Sequence, residues 1–212
     1  MTSDWLIPPD EDIVLDEETH TYFVDGVIYQ GVTDTINRLN LDGYANSENL
    51  EYSSNIERAG ARGGAVHKAT EYIDQGILNR ETTDVRVLAY SDGYEEMLTK
   101  HKVRWDYTEC KVCSKRLRRA GKFDRLGLFD GVMSIVDVKT PQKKKCHAIQ
   151  GAAYVELAEE YYKIKIDQAV FLYLTKESKC RVDIVSGDRL ALAKTMWHYA
   201  TSLDNYVQNK GD

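Results

Sequence analysis

The sequence contains no apolar run of the roughly 18 or more residues that a membrane-spanning helix requires. Its N-terminal stretch, MTSDWLIPPDEDIVLDEE, is acidic and has neither the basic start nor the apolar segment of a secretory signal. These two absences exclude membrane-spanning and secreted proteins from the expected classes. We therefore predict a soluble, cytoplasmic protein with no membrane partner.

Cysteine is sparse as well, and its spacing does not complete a metal-binding set. The four cysteines are Cys110, Cys113, Cys146 and Cys180, and only the first two have C-x2-C spacing. The segment around them, YTECKVCSK, alternates like a strand, which would direct the two thiols to opposite faces. We expect reduced, structural cysteines and no iron–sulfur cluster.

Proline is rare, with 3 residues in 212, and the composition is otherwise that of a globular chain. The formal net charge of -6 argues against a protein that coats nucleic acid with its whole surface. Two runs are nevertheless strongly basic, KVCSKRLRRAGKFDR at 111–125 and KTPQKKK at 139–145. Each run alone is typical of a solvated face, whereas the two together could form a local surface for phosphates.

Hydrophobic periodicity predicts an α/β fold with a mixed central sheet flanked by helices. Residues 20–30 predict a hairpin that turns at Asp25 and Gly26. The other predicted elements are helices at about 55–77 and 84–102, strands at about 105–114, 117–128 and 132–139, a helix at 146–163, strands at about 167–175 and 179–185, and a helix from 188 to about 209. We predict a single domain over 1–212, with a hairpin and arm in 1–55 and the core in 56–212.

An aspartate and a lysine interrupt an otherwise buried strand, SIVDVKT at 134–140. The strand period places Asp137 and Lys139 on one face, and Asp124 lies on the preceding strand. Two carboxylates about 4 Å apart repel by roughly 4 kcal/mol at an effective dielectric near 20. A divalent cation with hard oxygen ligands, Mg²⁺ or Mn²⁺, would neutralise them. A simple ion pair with Lys139 is the structural alternative.

Three further polar residues stand near predicted apolar faces. His67 lies on the flank of the helix whose buried stripe is Val66, Ala69, Ile73 and Ile77. Glycines 60, 63 and 64 precede it, which suggests a close approach of the backbone or the start of a helix. Gln150 and Tyr154 lie within the apolar face of the helix at 146–163, where a buried amide or phenol needs a partner.

Four motifs in this order resemble the PD-(D/E)XK nuclease superfamily, in particular its RecB-type branch. They are a histidine on an early helix, GxxD from Gly121 to Asp124, DxK from Asp137 to Lys139, and QxxxY from Gln150 to Tyr154. The N-terminal HTYFVDGVIYQGVTDTINRL is also similar to phage-encoded members and to the mitochondrial genome maintenance exonuclease. The resemblance implies a restriction-endonuclease-like αβββαβ core.

The resemblance implies a metal centre for Mg²⁺ or Mn²⁺ beside a catalytic lysine. Asp124, Asp137 and His67 would bind the metal, together with the backbone carbonyl of Val138. Lys139 would orient the attacking water or stabilise the developing negative charge on the phosphate.

Other residues would take supporting roles. Gln150 and Tyr154 match the motif that contacts DNA and supports the lysine. Glu109 matches a position where an additional acid often stands, and Arg62 could meet a phosphate.

The implied function is a metal-dependent DNA exonuclease that hydrolyses phosphodiester bonds from DNA ends or single strands. We expect a role in phage or bacterial recombination, replication or repair, in the bacterial host cytoplasm if the gene is phage-encoded, with a single-strand-binding or annealing protein as a further partner. Two alternatives stay open. One is a structure-specific DNA endonuclease, and the other is a catalytically degenerate member that only binds DNA or protein.

Overall fold

The computed structural model describes residues 13–41, 50–140 and 143–209, with residues 50–59 described by their backbone alone. Within these ranges the chain forms eight strands and five helices. In chain order they are β1 (Ile13–Asp16), β2 (Thr21–Val24), β3 (Val27–Gly31), α1 (Val32–Arg38), α2 (Leu50–Asp74), α3 (Val85–Lys100), β4 (Val103–Ser114), β5 (Arg119–Phe129), β6 (Val132–Lys139), α4 (Cys146–Tyr162), β7 (Gln168–Leu174), β8 (Cys180–Ser186) and α5 (Gly187–Gln208).

The strands form one mixed sheet in the order β1-β2-β3-β5-β6-β7-β8, with β4 paired to β5. The β3–β5 and β6–β7 pairs are parallel, and the other pairs are antiparallel. Helices lie on both faces of the sheet, so the predicted α/β class with a mixed central sheet is confirmed. The hairpin predicted around Asp25 and Gly26 is also present, as β2 and β3.

The two faces of the sheet pack against different helices. Ile135 of β6 belongs to the apolar core that includes Leu157 of α4 and Trp197 of α5. Its neighbours Val136 and Val138 belong to the core formed with α2 and α3. This alternation is the strand period expected for SIVDVKT, and it buries most of β6 on both faces.

Helix α2 differs from its prediction at both ends. It begins at Leu50, so the glycines at 60, 63 and 64 lie inside the helix and not at its start. It ends at Asp74, and the chain turns through Gly76 at a φ of 69°. Ile77 therefore leaves the predicted buried stripe and is 61% exposed. No helix in the described ranges is both long and apolar enough to cross a membrane.

Candidate active site

The strands β5 and β6 pair over only part of their lengths, and the candidate residues lie where they separate. The last pair in their register is Arg125 with Val136. Towards its start β5 pairs with β3, whereas β6 continues to Lys139 beside β7. Asp124 and Asp137 are the first residues beyond the last pair, so the sheet opens between the two carboxylates.

Asp124 is held by both of its carboxylate oxygens. His67 Nδ1 lies 2.7 Å from Oδ1, and the backbone N–H of Val138 donates to Oδ2 at 2.5 Å. Burial raises the pKa of Asp124, but His67, Arg125 and the N–H of Val138 together lower it more, so the net shift is downward. Burial lowers the pKa of His67, but Asp124 raises it above its ordinary value. The site thus favours an ionised Asp124 beside a protonated His67.

The buried Asp137 forms an ion pair with Lys139, whose side chain is 21% exposed, and Lys139 Nζ lies 2.5 Å from Asp137 Oδ2. This buried Oδ2 is paired with the ammonium, which approaches at an angle outside strict hydrogen-bond geometry. Burial raises the pKa of Asp137, and the charge of Asp124 adds to the rise although Lys139 opposes it. Burial lowers the pKa of Lys139, but Asp137 raises it above its ordinary value. Asp137 is therefore the carboxylate whose negative charge the site stabilises least.

The side chains predicted to bind metal and the predicted catalytic lysine lie as two neighbouring pairs. His67 contacts Asp124, and Lys139 contacts Asp137. Throughout the described part of the chain, no three His, Cys, Asp or Glu side chains are grouped closely enough to hold a metal ion. Even so, Asp124 and Asp137 are both buried, and burial together with the charge of Asp124 raises the pKa of Asp137, so a hard cation would stabilise the two ionised carboxylates. The chemistry of the donor atoms is compatible with Mg²⁺ or Mn²⁺.

Gln150 and Tyr154 lie on α4 above the sheet, next to α1. Gln150 Nε2 donates to Tyr154 OH at 3.1 Å and to Thr33 Oγ1 at 3.4 Å. A Cβ on Gly121 would lie 2.7 Å from Tyr154 Cε1, so the glycine of the GxxD motif leaves room for the ring. Tyr154 is only 3% exposed, and burial raises its pKa. This pair therefore packs inside the protein beside Asp137 instead of facing solvent.

The two remaining candidates lie outside these pairs. Glu109 of β4 has a left-handed φ of 52°, and its carboxylate binds Lys122 at 3.1 Å. Arg62 is exposed on α2. The adjacent Gly63 passes close to the end of β6, since a Cβ there would lie 3.7 Å from Thr140 Oγ1.

His147 and Tyr173 also lie near Lys139, and the sequence reasoning missed both. Tyr173 is the register partner of Lys139 on β7, and its hydroxyl lies 2.8 Å from His147 Nδ1. Burial and the charge of Lys139 lower the pKa of His147 to about 3, so this ring is neutral at neutral pH. A signal was available, because His147 precedes Gln150 by three residues and such neighbours share a helix face.

Most cations of the basic run 111–125 bind acceptors within the protein. Arg119 binds Asp204 at 3.0 Å, and Arg125 binds Asp74 at 2.7 Å. The others with acceptors are Lys111 on the carbonyl of Ile13, Lys115 on Asp25, Arg116 on Glu156 and Glu160, and Lys122 on Glu17 and Glu109. The run is therefore largely a set of structural ion pairs and does not form a continuous free surface for phosphates.

Comparison with known proteins identifies a shared fold. No family model matches the chain, and no curated protein matches it either. A crystal structure from Eubacterium rectale, named "Putative exonuclease", aligns with a TM-score of 0.53 and 13% sequence identity. The alignment covers 85% of this chain and 81% of that one. A second structure, of SSO0001, reaches a TM-score of only 0.28 at 12% identity, covering 81% and 84% of the two chains, and supports no conclusion.

Proposed function

We propose that this protein is a metal-dependent DNA exonuclease of the PD-(D/E)XK superfamily, RecB-type branch. The observation that carries the proposal is the buried ion pair of Asp137 and Lys139 at the point where β5 and β6 separate, with Asp124 across the gap. Asp137 is buried next to Asp124, and Lys139 does not fully offset the rise in its pKa, which is accounted for if a divalent cation binds between the two carboxylates. The fold shared with the Eubacterium rectale protein supports the same class.

In this proposal Asp124, Asp137, the carbonyl of Val138 and His67, after the metal displaces its proton, would hold Mg²⁺ or Mn²⁺. The bound metal supplies an activated water and offsets negative charge on the phosphate. His67 binds Asp124 Oδ1 in the structure and thereby fixes the direction of that carboxylate.

Lys139 provides a positive charge where negative charge develops on the phosphate. Its raised pKa keeps the ammonium protonated at neutral pH, so it acts as a donor and not as a base. Tyr154 and Gln150 form the buried wall beside Asp137, and we assign them a supporting role for the lysine. Arg62 is assigned to a DNA phosphate because it is exposed on the helix that passes the end of β6. Glu109 is assigned as an additional acid of the proposed site.

The test uses end-labelled single- and double-stranded oligonucleotides together with a covalently closed circle. An exonuclease degrades the linear substrates with Mg²⁺ or Mn²⁺, stops when EDTA is added and leaves the circle intact. Cleavage of the circle would instead identify a structure-specific endonuclease. Absence of cleavage, with no binding of Mn²⁺ in calorimetry, would identify a degenerate member that only binds DNA or protein.

The chain offers a matched control for the site itself. Lys165 and Asp167 form an ion pair of 2.6 Å at the same sequence spacing, but Lys165 is 83% exposed. We expect Asp137→Asn and Lys139→Ala each to lower the cleavage rate by at least about 100-fold, the order lost with one charge-stabilising donor. Lys165→Ala and Asp167→Asn should leave the rate unchanged. Full activity in either site variant would refute the assignment.

A further inference from the structure

Helix α5 exposes a row of large apolar side chains that nothing in the proposed nuclease function uses. Six of its residues are 40–66% exposed, and the described part of the chain has thirteen such exposed large apolar residues in all. The six are Leu192, Met196, Tyr199, Leu203, Tyr206 and Val207. Nearly half of the exposed apolar residues are thus concentrated on one helix, which marks an interaction surface and not scattered exposure.

The spacing of this row is that of a helix-pairing seam. From Leu192 to Tyr206 the steps along the chain are four, three, four and three residues. A repeat of this kind averages 3.5 residues and keeps one stripe facing a partner helix. The stripe lies roughly 120° around the helix from the core-facing side. That buried side consists of Leu190, Ala193, Trp197, Ala200, Thr201 and Asp204. We call the exposed row the α5 seam.

The chemistry around the seam argues against a nucleic acid or a membrane surface as its occupant. Lys194 and Arg189 are the cations of α5 in the described residues, and both bind carboxylates, of Glu159 at 2.7 Å and Asp183 at 2.8 Å. DNA would need free cations along the helix, and an interfacial membrane helix needs a polar face rich in lysine and arginine. The α5 seam offers neither, so an apolar protein surface fits it best.

Uncharged flanking positions favour a second copy of the same chain. In paired helices the residues beside the seam are commonly charged and select the partner. Between Leu192 and Tyr206 the flank away from the core has Thr195 and Ser202 at these positions, and the other flank has the buried Ala193 and Ala200. Two identical seams can therefore meet without repulsion between like charges, and no charge selects a different partner.

We propose that the protein forms a homodimer through antiparallel pairing of two α5 seams around a two-fold axis near Tyr199. Tyr199 is the middle residue of the seam, so this axis places Leu192 opposite the partner's Tyr206 and Met196 opposite the partner's Leu203. Each layer then joins apolar side chains, and the opposed helix dipoles are favourably arranged. The seam is about 21 Å long and one helix wide. The area of a stripe of this length and one helix diameter, about 10–12 Å, is well below the roughly 800 Å² per partner of a standard interface. The dimer therefore dissociates on dilution.

Analytical ultracentrifugation of the full chain between about 1 and 100 µM tests the proposal. The expected result is a reversible monomer–dimer equilibrium. Tyr199→Glu combined with Leu203→Glu should raise the dimer Kd by at least about tenfold, because it places charges in an apolar seam. Val85→Glu combined with Ile77→Glu is the matched control, since both residues are exposed apolar residues away from α5 and the charge change is the same. The control pair should leave Kd unchanged.

Three results would overturn the proposal. They are a monomer at every concentration, a dimer that the seam variant does not weaken, and binding of the wild-type chain to anionic phospholipid vesicles that the seam variant loses. Circular dichroism confirms that each variant is folded. None of these readouts depends on DNA cleavage, so a failure here leaves the nuclease proposal standing and the reverse also holds.

Cysteine cross-linking tests the antiparallel arrangement separately. Tyr199→Cys alone should form a disulfide-linked dimer on mild oxidation, because the axis brings the two copies of that position together. A mixture of Leu192→Cys and Tyr206→Cys chains should cross-link more than either chain alone. The wild-type chain, whose Cys110, Cys113 and Cys146 are buried, gives the background. Efficient cross-linking of Leu192→Cys alone would instead show a parallel pair and overturn the proposed arrangement.

Discussion

Asp137 and Lys139 form an ion pair that stability alone does not explain. Removing two charges from water is costly, and a buried pair is often no more stabilising than apolar residues of similar size. Asp137 is 4% exposed, and its Oδ2 contacts the ammonium without a hydrogen bond. The chain therefore keeps a costly ion pair at the centre of its sheet, which is typical of residues with a role in chemistry.

Replacing both partners should separate stability from activity. In Asp137→Asn with Lys139→Met no buried charge is left unpaired, so we expect the free energy of unfolding to stay within about 1.5 kcal/mol of the wild type or to rise. Cleavage of linear DNA should fall by at least about 1,000-fold. Urea denaturation and end-labelled DNA measure the two quantities. A large loss of stability would show that the pair is mainly structural.

His147 should make the stability of the protein fall in acid. Burial lowers its folded-state pKa to about 3, below the ordinary value of 6.5, so the unfolded chain binds a proton first as the pH falls. The stabilisation from the neutral ring is complete above pH 6.5 and is lost progressively towards pH 3. Between pH 7 and pH 5 this group should cost about 2 kcal/mol of unfolding free energy.

His147→Asn removes the titrating ring and should reduce that loss. Urea denaturation at the two pH values, compared between wild type and variant, gives the difference. The exposed His198, which is paired with Glu156, provides the control variant His198→Asn. An acid dependence that His147→Asn leaves intact, or that His198→Asn removes, would assign the effect to other groups.

At the scale of elements, α2 keeps glycines where a helix would be more stable without them. Among the described residues a Cβ on Gly64 would meet no atom within 4 Å, although the position is inside the helix. Each interior glycine costs roughly 0.5–1 kcal/mol relative to alanine. The neighbouring Gly63 lies beside Thr140, directly after Lys139 in the chain. The bare surface of α2 thus adjoins the candidate active site, where a DNA backbone could approach.

Two glycine variants should therefore have opposite effects on stability. Gly64→Ala should raise the unfolding free energy by about 0.5–1 kcal/mol. Gly121→Ala should lower it by about 1–3 kcal/mol, because its Cβ would lie 2.7 Å from the buried ring of Tyr154. Denaturation midpoints measure both. If the bare surface of α2 meets DNA, the more stable Gly64→Ala should also cleave more slowly, and unchanged cleavage would place the DNA elsewhere.

Helices and strands could be predicted well from the sequence wherever local signals determine them. The predicted strand at 132–139 matches β6, and the helix predicted at 146–163 matches α4 to within one residue, because apolar periodicity and the turn at Asp130 and Gly131 mark their ends. The prediction that Ile77 belongs to the buried stripe was wrong. Helix α2 ends at Asp74, before the turn at Gly76, and so stops about one turn earlier than the apolar pattern suggested.

Contacts between residues distant in sequence could not be predicted. Arg119 donates a hydrogen bond to Asp204, which lies 85 positions away in the sequence. Because such partners are not visible locally, the sequence alone does not show that the basic run 111–125 is largely paired. The pairing of His147 with Tyr173 likewise depends on how α4 packs against β7. Motif order indicated the neighbourhood of Asp124 and Asp137, but which oxygen contacts which nitrogen follows from the separation of β5 and β6, and no local pattern encodes that separation.

At the scale of the whole molecule, the charge of -6 and the internal pairing of the basic run 111–125 limit how the proposed DNA substrate could be bound. In the described part of the second basic run, Lys143 pairs with Asp183 and Lys145 is exposed, so we expect only a few phosphate contacts near the site. Binding should then weaken only moderately as salt rises, because the slope of log K against log salt scales with the number of phosphates neutralised, by about 0.7–0.9 for each.

Arg62→Ala should reduce the magnitude of that slope by about 0.7–0.9. The loss of binding affinity should be the same for unrelated DNA sequences, because a phosphate contact does not read the bases. Arg116→Ala is the matched control, since that arginine is also exposed but binds Glu156 and Glu160. Fluorescence anisotropy over a salt series, with Ca²⁺ replacing Mg²⁺ to prevent cleavage, gives the slopes. An identical slope for Arg62→Ala and the wild type would remove Arg62 from the DNA contact.

The hydrogen bond from the Val138 amide to Asp124 bears on how an inactive form for trapping DNA should be made. Asp124→Ala would leave the buried N–H of Val138 without its acceptor, which would lower the unfolding free energy by about 1–3 kcal/mol. A loss of cleavage in that variant could then not be separated from local unfolding. Asp124→Asn keeps an oxygen for the Val138 N–H, removes the charge, and replaces the oxygen that faces His67 by an amide nitrogen. Crystals of a substrate complex are thus better sought with the amide variant, whose backbone stays in the wild-type arrangement.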